Sequence, residues 1–139
     1  MEYKRIGDTL VARIDRGEEI LQSLKTICEK ENVRLASVSA IGAVDHAVVG
    51  LYRVEEKKYY KNTFDGEMEM TSLTGNVTEQ EGQVYLHLHA NFAGADGHVV
   101  GGHLNEAVIS GTCEMFIRTI PGNVGRKPDD ETGLNVFFL

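Results

Sequence analysis

Three of the five histidines, His87, His89 and His103, are gathered in the run HLHANFAGADGHVVGGH. On an extended strand, side chains two apart point to the same face, so His87 and His89 stand about 7 Å apart along one side. In Gln83–Phe92 the even positions Val84, Leu86, Leu88, Ala90 and Phe92 are apolar, whereas Tyr85, His87, His89 and Asn91 occupy the other face. A third imidazole, His103, returns on the next strand across a glycine-rich reversal. Gly101 and Gly102, directly before it, permit close approach to a neighbouring strand. Three neutral imidazoles can hold a Zn²⁺-type divalent ion and leave a further coordination position open. The plainer alternative is a polar sheet face carrying hydrogen-bonded histidines. His98 lies in the same hairpin, but its parity and loop position make it a weaker ligand. His46 reads as a surface or interface residue.

Glu114 is the other candidate. In Ala107–Thr119 the residues Ala107, Ile109, Cys113, Met115 and Ile117 form an apolar face, and Glu114 projects opposite with Thr112 and Phe116. It could orient a ligand imidazole, serve as a base beside a metal-bound water, or be a solvated carboxylate.

The elements that must position these groups are mostly strands. Thr9–Ile14 alternates as a strand. Asp15 then reads as an N-cap with Glu18 in capping-box position, opening an amphipathic helix over 18–31 with Ile20, Leu21, Leu24, Ile27 and Cys28 as its stripe. Strand signals follow at Ala36–Ile41, His46–Val54, Tyr59–Phe64, Glu67–Val77, Gln83–Phe92, His98–His103, Glu106–Ile120 and Leu134–Leu139. Ile41-Gly42-Ala43-Val44 reads as a bend, and Asp65-Gly66 as a hairpin turn. Pro121–Gly133 reads as a mobile loop. The expectation is an α+β fold: one domain over 1–139, with a mostly antiparallel sheet of about seven strands packed on one main helix.

Composition agrees. A chain of 139 residues, 42% hydrophobic and 25% charged, is ordinary for a globular domain. A domain of this size buries roughly 68–70% of the surface of its unfolded chain, enough for a core without staples. Cys28 and Cys113 form no metal or redox motif and read as buried thiols. No signal peptide or membrane span is evident, so a cytoplasmic protein is expected. The net charge of −7 works against nonspecific attraction to nucleic acid. Lys57-Lys58-Tyr59-Tyr60-Lys61, where basic and aromatic residues interleave, is the one local exception, although an ordinary hairpin end explains it too.

Ile41-Gly42-Ala43-Val44, GEMEMTSLTGNV (Gly66–Val77), LHLHANFAGADGHVVGGHL (Leu86–Leu104) and Thr112-Cys113-Glu114 occur in this order over almost the whole chain. In this the chain resembles the PPC (plant and prokaryote conserved) domain in its stand-alone prokaryotic form. The resemblance implies a homotrimer and a metal-containing protein, with His87, His89 and His103 as ligands. Plant members place the domain after an AT-hook and use it for trimerisation and contacts with transcription factors, through a segment matching Gly66–Ser72. This chain has no AT-hook: Gly125-Arg126-Lys127-Pro128 lacks paired arginines and runs into Asp129-Asp130-Glu131. Two functions therefore compete. One is a zinc-binding trimer with a DNA-associated or protein-partnered regulatory role, in which the metal could also be purely structural. The other is a metal-dependent enzyme acting on a small molecule.

Overall fold

Eight strands and one helix follow in the order β1 (Glu2–Ile6), β2 (Thr9–Ile14), α1 (Ile20–Lys30), β3 (Ala36–Arg53), β4 (Lys58–Gln80), β5 (Gln83–Ala93), β6 (Val99–Thr119), β7 (Gly125–Pro128) and β8 (Asn135–Phe138). They come from a computed structural model that describes all 139 residues. Six strands form the main sheet in the order β1-β2-β6-β3-β4-β5, and every pairing is antiparallel.

The sheet does not stay open. One edge of β6 follows β3 along most of its length. Its other edge pairs first with β5, over Val99–His103, and then with β2, over Cys113–Arg118. The β5–β6 pairing closes β6, β3, β4 and β5 into a barrel and leaves β1 and β2 as an extension. Closure requires strongly bent strands, and bulges supply the bend. Register shifts occur between Ala40 and Gly42 and between Val44 and His46 of β3, and between Met70 and Ser72 of β4.

These bulges correct the sequence reading in three places. Asp65-Gly66 is not a hairpin turn: β4 runs through it, and Gly66, at φ 113°, takes up the extra residue opposite Val44–His46. The bend at Ile41–Val44 lies inside one continuous β3. The segments expected at His98–His103 and Glu106–Ile120 are one strand, β6. Alternation breaks at a bulge as it does at a turn, so the pattern alone reads one as the other.

Helix α1 starts later than the capping pattern suggests. Glu19 is the N-cap and accepts the N–H groups of Leu21 and Gln22, at 3.0 and 2.7 Å. The Glu18 carboxylate does accept the Asp15 N–H at 2.8 Å, but it also pairs with the N-terminal ammonium at 2.7 Å. Ile20, Leu24, Ile27 and Cys28 are fully buried and join a single cluster of 26 buried apolar residues. Leu88, Ala90 and Phe92 belong to the same cluster, which fixes the opposite face of β5 outward.

Pro121–Gly133 is not simply a loop. It contains β7, which pairs with β8 as a separate two-stranded ribbon rather than adding to the main sheet. The ribbon is tied to the barrel by the Glu79 N–H donating to the Val124 carbonyl at 3.1 Å and by the Arg126 side chain. No helix is long and apolar enough to cross a membrane.

Candidate metal centre

The pairing that closes the barrel also builds the histidine cluster. His89 of β5 is the register partner of His103 of β6, and His87 lies two residues along β5 on the same face. Directly opposed antiparallel residues bring their Cβ atoms to about 4.5–5.5 Å, so the two strands deliver three rings to one point. The ring centroids are 5.2 Å (His87–His89), 5.2 Å (His87–His103) and 5.5 Å (His89–His103) apart. One nitrogen from each ring lies within 4.8 Å of the others. Tetrahedral Zn²⁺ with Zn–N bonds of about 2.0–2.1 Å needs nitrogens roughly 3.4 Å apart, within reach of small side-chain rotations.

Close backbone approach holds His103 in place. A Cβ on Gly102 would lie 2.7 Å from the Gly50 carbonyl oxygen of β3, so only glycine lets β6 sit this near. Gly50 in turn is covered by the Tyr59 ring, which meets the His103 ring edge-on at 5.9 Å between centroids. Asn105 donates to the Tyr59 hydroxyl at 2.7 Å and to the His103 carbonyl at 3.1 Å.

The imidazoles suit a metal electrically as well. Burial pushes His87 and His103 below the ordinary imidazole range. Repulsion between neighbouring imidazoles adds to this, as does Arg126 at His87. A ligand must be deprotonated, so these shifts keep metal-competent imidazoles available at lower pH. The donor set is all nitrogen, which suits Zn, Cu, Ni or Fe(II) better than Mg or Ca. The rings border a cavity of about 630 Å³ shared with Tyr59, Tyr85, Arg126 and Phe137.

The Plants and Prokaryotes Conserved (PCC) domain matches residues 1–121. The chain belongs to this family. The PCC domain is the one that the landmarks around the histidines resemble. Among solved structures, a Bacteroides thetaiotaomicron protein described as "a putative dna binding protein" is 30% identical, with TM-score 0.96 over 99% of this chain and 96% of its own. The metal-containing protein AF0104 of Archaeoglobus fulgidus is 34% identical, with TM-score 0.90 over 99% and 97%. A plant- and prokaryote-conserved protein of Pyrococcus horikoshii is 30% identical, with TM-score 0.87 over 99% and 94%. Comparison with curated proteins finds no match.

The PCC match ends at residue 121, and the ribbon beyond it supplies one wall of the cavity. Arg126 of β7 donates to Thr78 Oγ1 at 2.8 Å, to the Asn135 carbonyl at 2.9 Å and to Asn76 Oδ1 at 3.0 Å. Asn76 is the register partner of His87, which sets the guanidinium beside the cluster. The guanidinium carbon stands 4.3 Å from the Tyr85 ring centroid and 4.7 Å from that of Phe137. Residues 125–128, which lack the paired arginines of an AT-hook, thus form a strand whose arginine is turned against the barrel.

Glu114 is not brought to the histidines. It lies eleven residues beyond His103 on β6, roughly 35 Å along the strand, beside Arg13 of β2 and Ile41 of β3. Its face is exposed and borders other cavities. His98 is exposed and held by Asp96 in the β5–β6 turn at 2.9 Å, away from the cluster. His46 pairs with Asp65 at 2.6 Å on the outer surface. The Lys57–Lys61 patch is divided: Tyr59 turns to the cavity, while Tyr60 bonds Glu56 and lies under Arg53 and Lys58. Sequence reading missed Tyr59, Asn76 and Arg126 as site residues. Tyr85 alone carried a signal, since it shares strand parity with His87 and His89.

Proposed function

We propose that this PCC domain binds one divalent transition metal, zinc by preference, through His87, His89 and His103, and presents it to a small molecule. The observation that carries this reading is the convergence of three imidazoles, two of them held neutral by burial, on the wall of a cavity of about 630 Å³. Cavities of about 300–1,000 Å³ suit small ligands. The metal-containing description of the A. fulgidus relative supports the same assignment. A metal held by three imidazoles supplies Lewis acidity or a water acidic enough to ionise near neutral pH. His87, His89 and His103 would hold it, Asn105 and Tyr59 would steady His103, and the aromatic walls would exclude water.

The assembly we propose is a homotrimer. Its support is the family resemblance together with Ile41 and Phe116, which are 56% and 51% exposed on the outer face that also carries Glu114. A DNA-associated role is the second reading, favoured by the description of the B. thetaiotaomicron relative. Against it stand the net charge of −7 and the engagement of Tyr59 and Tyr60 within the chain.

Elemental analysis with light scattering, before and after chelation, is the test. One metal per chain is expected, lost in the His87→Ala/His89→Ala variant while circular dichroism stays that of the folded protein. Full occupancy in that variant would overturn the ligand assignment. Chelation that dissociates the assembly would make the metal structural. A mixed duplex pool shifted at low salt, with binding lost steeply as salt rises, would favour the DNA reading.

A further inference from the structure

The charge balance of the cavity points to the chemistry of its occupant. Arg5, Arg13, Arg34 and Arg53 each face a carboxylate, and Arg16 and Arg118 are exposed to solvent. Arg126 alone is half-buried with no carboxylate partner: its three acceptors, Thr78, Asn76 and the Asn135 carbonyl, are all neutral. A guanidinium has five N–H donors, so two remain uncommitted. No aspartate or glutamate lines the cavity, although the chain has 21 of them against 14 lysines and arginines. The histidines add no negative charge either, so a divalent ion bound there would have nothing to neutralise it. A partly desolvated guanidinium without an anion is costly, and a fork of free N–H groups matches a carboxylate. The remaining walls are apolar and aromatic, with Leu134, Val136, Phe137 and Tyr85.

We propose that the cavity binds a small organic acid, its carboxylate on Arg126 and its apolar or aromatic body against the β7–β8 ribbon. This deepens the metal reading above and rests on it for the second positive charge, but Arg126 is a separate group and can be tested separately. Arg126 also fixes the ribbon to Asn76 and Thr78, so an acid bound there would reinforce the wall that encloses it.

The probes are benzoate and its neutral counterpart benzamide, titrated calorimetrically into the zinc-loaded protein, with metal content measured in every sample. Benzoate should bind about tenfold or more tighter than benzamide, the preference expected of a charge-assisted pair. Arg126→Gln should erase the preference with zinc content unchanged. Because Arg126→Gln also removes ribbon contacts, a second pair of variants keeps the test decisive. Phe137→Glu sets a carboxylate beside the guanidinium, whose hydrogen bonds stay intact, and should abolish benzoate binding. Phe137→Gln removes the same ring without adding charge, so it should weaken both probes alike and retain the preference. Equal binding of benzoate and benzamide, or a preference that survives both Arg126→Gln and Phe137→Glu, would overturn the proposal. Zinc bound without a benzoate preference would leave the metal reading standing alone. A preference lost in Arg126→Gln but present in metal-free His87→Ala/His89→Ala protein would uphold the carboxylate site and separate it from the metal.

Discussion

Replacing Gly102 by Ala tests whether strand approach, rather than the histidines alone, builds the site. The added Cβ would lie 2.7 Å from the Gly50 carbonyl oxygen, where ordinary contact begins at 3.4 Å. The obstacle is backbone, so β6 must move away from β3 by about 0.7 Å or distort its pairing, an overpacking cost of about 1–3 kcal/mol. Removing a glycine from the unfolded chain returns about 0.4–1 kcal/mol, leaving a net loss of about 1–2 kcal/mol. For a domain of this length that is a fall in Tm of roughly 4–8 °C. His103, the next residue, moves with the strand, and displaced ligand support costs about tenfold or more in metal affinity. Gly111→Ala is the internal control. It sits on the same strand, where the nearest atom to an added Cβ is Ala43 Cβ at 3.5 Å, so it should melt at or above the wild-type temperature. Thermal denaturation and zinc competition against a chromophoric chelator read both effects. Equal melting and equal zinc affinity in the two variants would refute the argument.

Two further outcomes follow from the titrating groups. His87 and His103 are depressed in the folded state, so as pH falls below about 6.5 the unfolded chain takes up their protons first and the metal-free protein loses stability. The loss levels off below the native values. His46, raised chiefly by its hydrogen bond to Asp65, acts oppositely, adding stability below its unfolded value that is lost as pH rises through the folded one. The measurement is therefore the difference in urea midpoint between wild type and His87→Gln from pH 7.5 to 5.5. The wild type should fall relative to the variant, and a relative rise would contradict the burial argument. Burial pushes the thiols of Cys28 and Cys113 up to about 12, so neither should react with a disulfide reagent at pH 8 until the protein is denatured. Rapid native labelling of either would show that the core around them opens.

The parts of this fold legible in the sequence are those governed by period. The two faces of β5, the apolar face of Ala107–Thr119 and the stripe of α1 all lie where alternation or helical spacing puts them. What the pattern does not carry is the continuity of strands. A bulge interrupts alternation without ending the strand, so β3, β4 and β6, of 18, 23 and 21 residues, read as shorter pieces. Half of the ribbon was legible, since β8 lies within the strand read at Leu134–Leu139, but β7 was hidden for another reason. Its four residues are held to the barrel through Arg126, a contact between residues about fifty positions apart that leaves no local period. The histidines were legible because two lie on one strand and the third on the next, so nearest-neighbour pairing sufficed. Arg126, Asn76 and Tyr59 needed the closed topology.

That closure ties site and stability together. His89 opposite His103 is one of only five register pairs between β5 and β6, the seam that turns the sheet into a barrel. Beyond His103 the same edge of β6 passes to β2, so the histidine pair stands at the end of the seam, where β5 and β6 part. An ion bridging His89 and His103 would act as a cross-strand link at that end, and His87 would extend it past the last register pair. Metal binding must then stabilise the closed barrel by its own linkage term, about 2.7 kcal/mol at a free metal concentration one hundred times the Kd. The effect should be local as well as global. Amide exchange in Gly101–His103 and His87–His89 should slow most on metal loading, whereas β1 and β2, joined elsewhere along β6, should change little. Uniform slowing throughout the chain would mean that the metal acts on global unfolding alone and not on the seam.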